Sequence, residues 1–361
     1  MTVPVEQEQA ERRRVPSVLL AAARRVVPLG LWQSILAVVL GIVVCFVIML
    51  VVTPEPLVAL QAFVLGTFRN TYSFGSMLAI ATILATAAFA STVAFRAGAF
   101  NIGTEGQLVL GGLAAAVIAP IVPGGGMLAQ VAALAASAVV GALWILVPTV
   151  LRVRWRTNEI LTTLMANYLA VDVALLLVRN FFRDRDSGAL ETPALDRSLW
   201  LWQVLPPSQA NIGIVLVLLL AGGLWLWFAR TRAGMRSEVS GLQPAFAEYL
   251  GIRPVRQLRT SMLLSGAIAG FAGGLAILGI SHSYIDGFSP QYGFLGITVA
   301  LIGRLRPVGI LVAAMLYASL ITGATAMQSV SDVPFSLVFV LQGILILLIT
   351  SQRIGSRGGA S

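Results

Sequence analysis

Residues 99–107 read AFNIGTEGQ, and within them Asn101, Glu105 and Gln107 place one carboxylate and two amides between long apolar runs. Such groups persist at membrane depth where they face a bundle interior or a water-filled path. Their chemistry would be that of a gate or pathway lining, hydrogen bonding to a passing solute or a closing helix. Gly98, Gly103 and Gly106 crowd the same stretch, and glycine permits unwound backbone and close helix approach. A competing reading is pure helix capping. Thr104-Glu-Gly-Gln107 fits the S/T-x-x-E/Q box, in which hydroxyl and amide satisfy free N–H groups, with Glu105 at the positive helix end. Capping leaves Asn101 without a role.

Other segments carry further candidates. The run Arg156-Thr-Asn-Glu-Ile-Leu-Thr-Thr-Leu-Met-Ala-Asn-Tyr168 opens a span in which Thr162, Thr163 and Asn167 are polar and Asp172 follows. An acid inside a span is by default a pathway or helix-pairing residue. Gly241-Leu-Gln-Pro-Ala-Phe-Ala-Glu-Tyr-Leu-Gly251-Ile252 has Pro244 suited to a first helical position and Gly251 to a left-handed helix end. Between them lie about two turns with Phe246, Tyr249 and Leu250 on one face. Two turns are unstable alone, so this helix docks either on the membrane interface or in a groove of a cytoplasmic partner.

These residues must be held by membrane-spanning helices. The chain is 58% hydrophobic and only 11% charged, with mean hydropathy +0.89, against about 25% charged in soluble domains. Apolar runs of about 20 residues fall at 30–52, 74–95, 107–120, 127–151, 159–178, 212–228, 261–280, 294–303, 308–326 and 334–350. The expectation is an all-α polytopic protein of about ten transmembrane helices. Residues 1–29 form a cytoplasmic segment, 30–351 the membrane domain with an inner loop at 230–260, and 352–361 a tail. The spans beginning at Gln107 and Phe294 are short. Each follows a glycine-rich stretch, on opposite faces, which hints at an inverted repeat. Gly266, Gly270 and Gly274 recur at four-residue spacing, a pattern for tight helix crossing in bilayers.

Charge sets the orientation. Every basic residue is arginine, and an N-in, C-in threading puts 19 of the 24 inside, as positive-inside placement requires. The net charge of +9 therefore reflects span ends, and no nucleic-acid partner is expected. A chain without lysine has no G-x-x-x-x-G-K-[ST] phosphate loop. One cysteine, Cys45, and one histidine, His282, exclude disulfides within the chain and histidine-built metal sites; no cofactor is expected, and His282 reads as a solvated loop residue. The outer loop from Arg179 to Asn211 carries charges that could meet an extracytoplasmic partner, and Trp200 and Trp202 could anchor at the interface.

Taken together, Phe95-Arg-Ala-Gly-Ala-Phe-Asn-Ile-Gly-Thr-Glu-Gly-Gln107, Thr157-Asn-Glu-Ile-Leu-Thr-Thr-Leu-Met165 with Asn167-Tyr168, and Gly296-Ile-Thr-Val-Ala-Leu-Ile-Gly303 with Pro307 and Gly309 resemble a permease family. It is the family of ribose, galactose and branched-chain amino acid permeases of ATP-binding-cassette (ABC) importers, in particular its nucleoside, or simple-sugar, branch. The inner-loop piece resembles the family's coupling segment, G-x-N-P-x-A-A, with Gln243 and Phe246 in place of Asn and Ala. The resemblance implies a non-enzymatic permease subunit in the plasma (inner) membrane, surrounded by lipid, that translocates nucleosides. It implies three partners: an ABC ATP-binding subunit, a second and non-identical permease, and an extracytoplasmic solute-binding lipoprotein. On this reading Asn101, Glu105, Gln107 and Asn167 are pathway or gate residues. Gln243, Pro244, Phe246, Glu248, Tyr249 and Leu250 contact the ATPase. Phe100, Tyr168 and Phe288 could stack on a nucleobase. The alternatives are a pentose or hexose as substrate, an ion-coupled secondary transporter in which Asp172 would be the buried acid, and a membrane scaffold without transport.

Overall fold

The structure is a computed structural model that describes residues 53–331, with a few positions beyond them (43, 44, 46, 47, 49, 50 and 343) placed singly. The expected spans at 30–52 and 334–350, the terminal segments 1–29 and 352–361, and Cys45 otherwise lie outside the described residues. Eleven helices are described: α1 (Pro56–Leu65), α2 (Thr71–Arg96), α3 (Thr104–Ile118), α4 (Gly126–Trp155), α5 (Glu159–Leu177), α6 (Gly213–Arg230), α7 (Arg232–Leu242), α8 (Pro244–Tyr249), α9 (Pro254–Ala276), α10 (Tyr292–Ile302) and α11 (Pro307–Gln328). A tight turn carries α3 on to Ile121, and wider turns carry α5 to Phe182 and α9 to Ser281. Seven of them, α2 to α6, α9 and α11 without the short ones, are long and apolar enough to cross a membrane. Extended structure among the described residues is limited to isolated bridges.

Two compact units divide the chain, Val64–Ala326 and the remainder. In the remainder the described residues are few and include the start of α1. Everything about the site concerns Val64–Ala326. Its centre is α2, α3 and α9, whose apolar stretches are 83%, 72% and 72% buried, while that of α5 is 22% buried. The glycine spacing explains why α9 is central. A side chain on Gly270 would stand 2.1 Å from the Ser137 carbonyl oxygen of α4, and one on Gly273 would stand 2.0 Å from the Leu108 carbonyl oxygen of α3. Only glycine lets both neighbours approach so closely.

Spans read from hydropathy recur with shifted ends. α9 begins at Pro254, seven residues before the apolar run, because proline suits the first helical turn and hydropathy does not register the polar turns bearing Arg256 and Arg259. α3 begins at Thr104 and α10 at Tyr292. At 1.5 Å per residue α10 covers about 16 Å, half of an apolar core of about 30 Å. α1 and α7 were not anticipated, since neither carries a long apolar run.

The outer loop is folded rather than solvated. Leu195 and Leu201 donate their N–H groups to His282 O (2.8 Å) and Leu278 O (2.9 Å), and Thr192 donates to Tyr284 O (2.9 Å). His282 therefore departs from the expected solvated residue: its ring stacks on Trp200 at 3.6 Å between centroids, 4° from parallel. Burial pushes the imidazole down from 6.5 to about 4. Trp200 is tied inward through its indole N–H to Leu195 O (2.8 Å), whereas Trp202 is 75% exposed.

Candidate gate and coupling site

After α2 the chain turns at Gly98 (φ +75°) and runs unwound through Ile102 before α3 begins. Unwound backbone at membrane depth must find partners within the protein, and the polar side chains of this region supply them. Asn167 on α5 donates to Ile102 O (2.8 Å) and accepts from Gly106 N (2.8 Å). Thr163, one turn earlier, accepts from Ile102 N (3.2 Å). Asn101 accepts from Gly103 N (2.9 Å), donates to Ser265 Oγ on α9 (2.8 Å), and pairs reciprocally with the Gln107 amide at 3.0 and 3.1 Å. Asn101 and Gln107 are 0% exposed and Asn167 4%, so in this conformation the amides are sealed and satisfied.

The capping-box reading fails in its details. Gly103 occupies the cap position and makes no side-chain cap; the Gln107 amide is turned to Asn101, and Thr104 Oγ1 lies 3.4 Å from both Asn101 O and Ser91 Oγ. Asn101 does the local capping because an amide two residues before an N–H closes a tight turn.

Glu105 joins the two interrupted segments. Phe288 lies against Gly112, and Gly293 against Glu105, so the stretch 288–293 descends about 10 Å along α3. There the Glu105 carboxylate accepts the Gly293 N–H at 2.6 Å and meets the Ser289 hydroxyl. One carboxylate thus sits at the N-termini of both α3 and α10, where the aligned peptide dipoles of each helix favour negative charge.

The Gly241–Ile252 segment lies on the surface of the same unit. α8 starts at Pro244 and ends before Gly251 in the left-handed conformation (φ +73°). Ala247 is buried, whereas Phe246, Tyr249 and Leu250 are 49%, 88% and 54% exposed. Gln243 and Glu248 are exposed beside them. Next to α8 opens a hollow of about 380 Å³ walled by Arg232, Arg236, Arg253 and Arg256. Behind it, α7 is clamped to the end of α2. Arg96 pairs with Glu238 at 2.8 Å and lies 3.9 Å over the Phe228 ring. A side chain on Gly241 would stand 2.4 Å from Arg96 O, and one on Gly98 would stand 2.8 Å from Gly241 Cα. The last turn of α7 therefore crosses directly on the turn that leads into the unwound segment. Sequence reading missed this crossing, because two glycines far apart in the chain carry no sign that they meet.

Among the remaining candidates, Phe288 is turned inward, while Phe100 and Tyr168 are 49% and 64% exposed. Asp172 is exposed on α5. Groups of three or more metal-ligating side chains are absent among the described residues.

Residues 73–350 match the family model for the permease component of branched-chain amino acid transport systems. The chain belongs to this family. It is 32% identical to the guanosine ABC transporter permease NupP of Bacillus subtilis over 88% of this chain and 92% of that one. It is 29% identical to the nucleoside ABC transporter permease NupB of Lactococcus lactis over 89% and 90%. It is likewise 29% identical to the glucose ABC transporter permease TsgB13 of Haloferax volcanii over 91% and 90%. No solved structure matches the chain. This is a multi-pass ABC transporter permease subunit of the cell membrane and not itself an enzyme. The family sets aside the self-sufficient ion-coupled transporter and the scaffold.

Proposed function

We propose that the chain forms the membrane conduit of a nucleoside importer, threaded N-in and C-in with about ten spans and driven by ATP hydrolysed on a partner subunit. The partners are an ABC ATP-binding subunit, a second and non-identical permease, and an extracytoplasmic solute-binding lipoprotein. The Gly241–Gly98 crossing carries this reading. A short helix with an exposed apolar face begins three residues after a backbone contact that abuts the unwound segment, so a push on α8 reaches Asn101 without an intervening flexible loop. In this account Phe246, Tyr249 and Leu250 seat in the ATPase, flanked by Gln243, Pro244 and Glu248. The network of Asn101, Gln107 and Asn167, with Glu105 bridging to α10, is the gate that re-forms as the pathway switches sides. Residues 1–29 and 352–361 are cytoplasmic tails of the membrane domain 30–351, and the two interrupted entries to α3 and α10 are the matching halves of an inverted repeat.

The nucleoside assignment follows the guanosine and nucleoside permeases among the relatives. A simple sugar is the second reading, favoured by the glucose permease at 29% identity over 91% of the chain. Uptake of labelled guanosine, uridine, ribose and glucose by the assembled transporter separates them. Saturable, ATP-dependent nucleoside uptake that excess ribose or glucose does not compete is the expected result, and uptake of the sugars alone would overturn it.

A further inference from the structure

α5 presents two faces of opposite character. At 100° per residue, Leu161, Met165, Tyr168, Asp172 and Leu176 fall within about 80° of its circumference, with Asp172 near the middle. The four neighbours of Asp172 are between 51% and 64% exposed. Asn167, Thr163 and Ala170 lie on the opposite side, buried against the unwound segment. Asp172 makes no hydrogen bond or ion pair among the described residues, and it stands thirteen residues from Glu159 and ten from Phe182, near the middle of this 24-residue candidate span. A carboxylate does not face hydrocarbon at that depth, so this stripe faces water or a polar partner. Tyr168, one turn away on the same stripe, adds an aromatic face and a phenolic hydroxyl.

We infer that Asp172 and Tyr168 form a mid-membrane solute contact in the aqueous pathway, taking a hydroxylated ring. The carboxyl oxygens accept hydrogen bonds from neighbouring hydroxyls of the solute, and the tyrosine ring covers the solute's apolar face. The stripe is set rigidly behind the gate, because the adjacent Asn167 fastens the back of the same helix to Ile102 and Gly106. Solute contact and gate geometry are thereby carried by one element. The inference rests on the proposed importer function only in needing a transported solute, whichever class that is.

The lone cysteine makes the test direct. In the assembled transporter with Cys45→Ser, Asp172→Cys is exposed to a charged, membrane-impermeant thiosulfonate, alongside Leu219→Cys on α6, where Leu219 is 67% exposed with no charge beside it. Asp172→Cys is expected to react at least about tenfold faster, since the thiolate attacks the thiosulfonate sulfur and expels sulfinate, and thiols ionise in water rather than in lipid. A saturating concentration of whichever of guanosine, uridine, ribose or glucose is transported should slow that reaction. Asp172→Asn should raise the KM for uptake about tenfold, as expected for losing a charge-assisted hydrogen bond, with assembly unchanged. Reaction no faster than at Leu219→Cys, or a rate indifferent to the transported solute, would overturn the inference. If nucleosides are not transported but a sugar protects Asp172→Cys, the solute contact stands and the nucleoside reading falls.

Discussion

The two sides of α5 differ in how their polar groups are used. On the buried side Asn167 and Thr163 have every obvious partner, all of them backbone groups: Ile102 of the unwound segment, Gly106 in the first turn of α3 and, for the Thr163 hydroxyl, Glu159 of its own helix. On the open side Asp172 has none among the described residues, in a setting where an unpartnered charge is hard to maintain. Satisfied polar groups fix a geometry; an unsatisfied one marks where something must arrive. The same contrast separates the two ends of the inner loop: Gly241 is pressed against Arg96 and Gly98, while Phe246 and Tyr249 are left bare.

The severest disruption should come from the packed interior. Gly273→Val forces a branched side chain into the Leu108 carbonyl, 2.0 Å from where its Cβ would stand, and a backbone oxygen cannot swing aside as a side chain would. Loss of folded, membrane-inserted protein on size-exclusion profiles is the expected outcome. Next, Asn167→Leu should destabilise by about 2–4 kcal/mol, because Ile102 O and Gly106 N are both left without partners. Asp172→Leu should leave the melting temperature unchanged or raise it while reducing uptake. Equal melting losses for the two variants would erase the distinction between the faces of α5. The double variant Phe246→Ala, Tyr249→Ala should keep thermal stability within about 0.5 kcal/mol, as surface changes do, and lose ATP-dependent uptake; co-purification of the ATPase reports the cause.

The smallest effect concerns the outer end. Folding holds His282 neutral, with its pKa pushed down to about 4 from 6.5. The unfolded chain binds that proton first, so stability is full above pH 6.5 and falls as pH drops toward 4. Because the ring is only partly buried, solvent screening limits the loss to about 1 kcal/mol. His282→Phe should keep the stack on Trp200 and flatten the pH dependence of melting over that interval.

The amino-acid sequence made the helices legible wherever apolar length decides. The glycine spacing of α9 and the Pro244 and Gly251 ends of α8 were equally plain, because each reports a local requirement. It located the polar segment at Asn101 to Gln107 and the polar span at Asn167, but not that they bond to each other, nor that Ser265 and Thr163 complete the set. Hydrogen-bond partners distant in the chain leave no local pattern. The capping box misled because the local rule was satisfied on paper while Asn101, a better-placed acceptor, took the Gly103 N–H. His282 misled for a similar reason: a short loop looks solvated until another loop folds over it.

The link from α8 to the gate is the central claim, and Gly241→Ala in the assembled transporter tests it most directly through the number of solute molecules imported per ATP hydrolysed. The added methyl meets Arg96 O at 2.4 Å and must part the loop from the Gly98 turn. Hydrolysis that continues while the import ratio falls about tenfold or more is the result expected. An unchanged ratio, with assembly intact, would contradict the account.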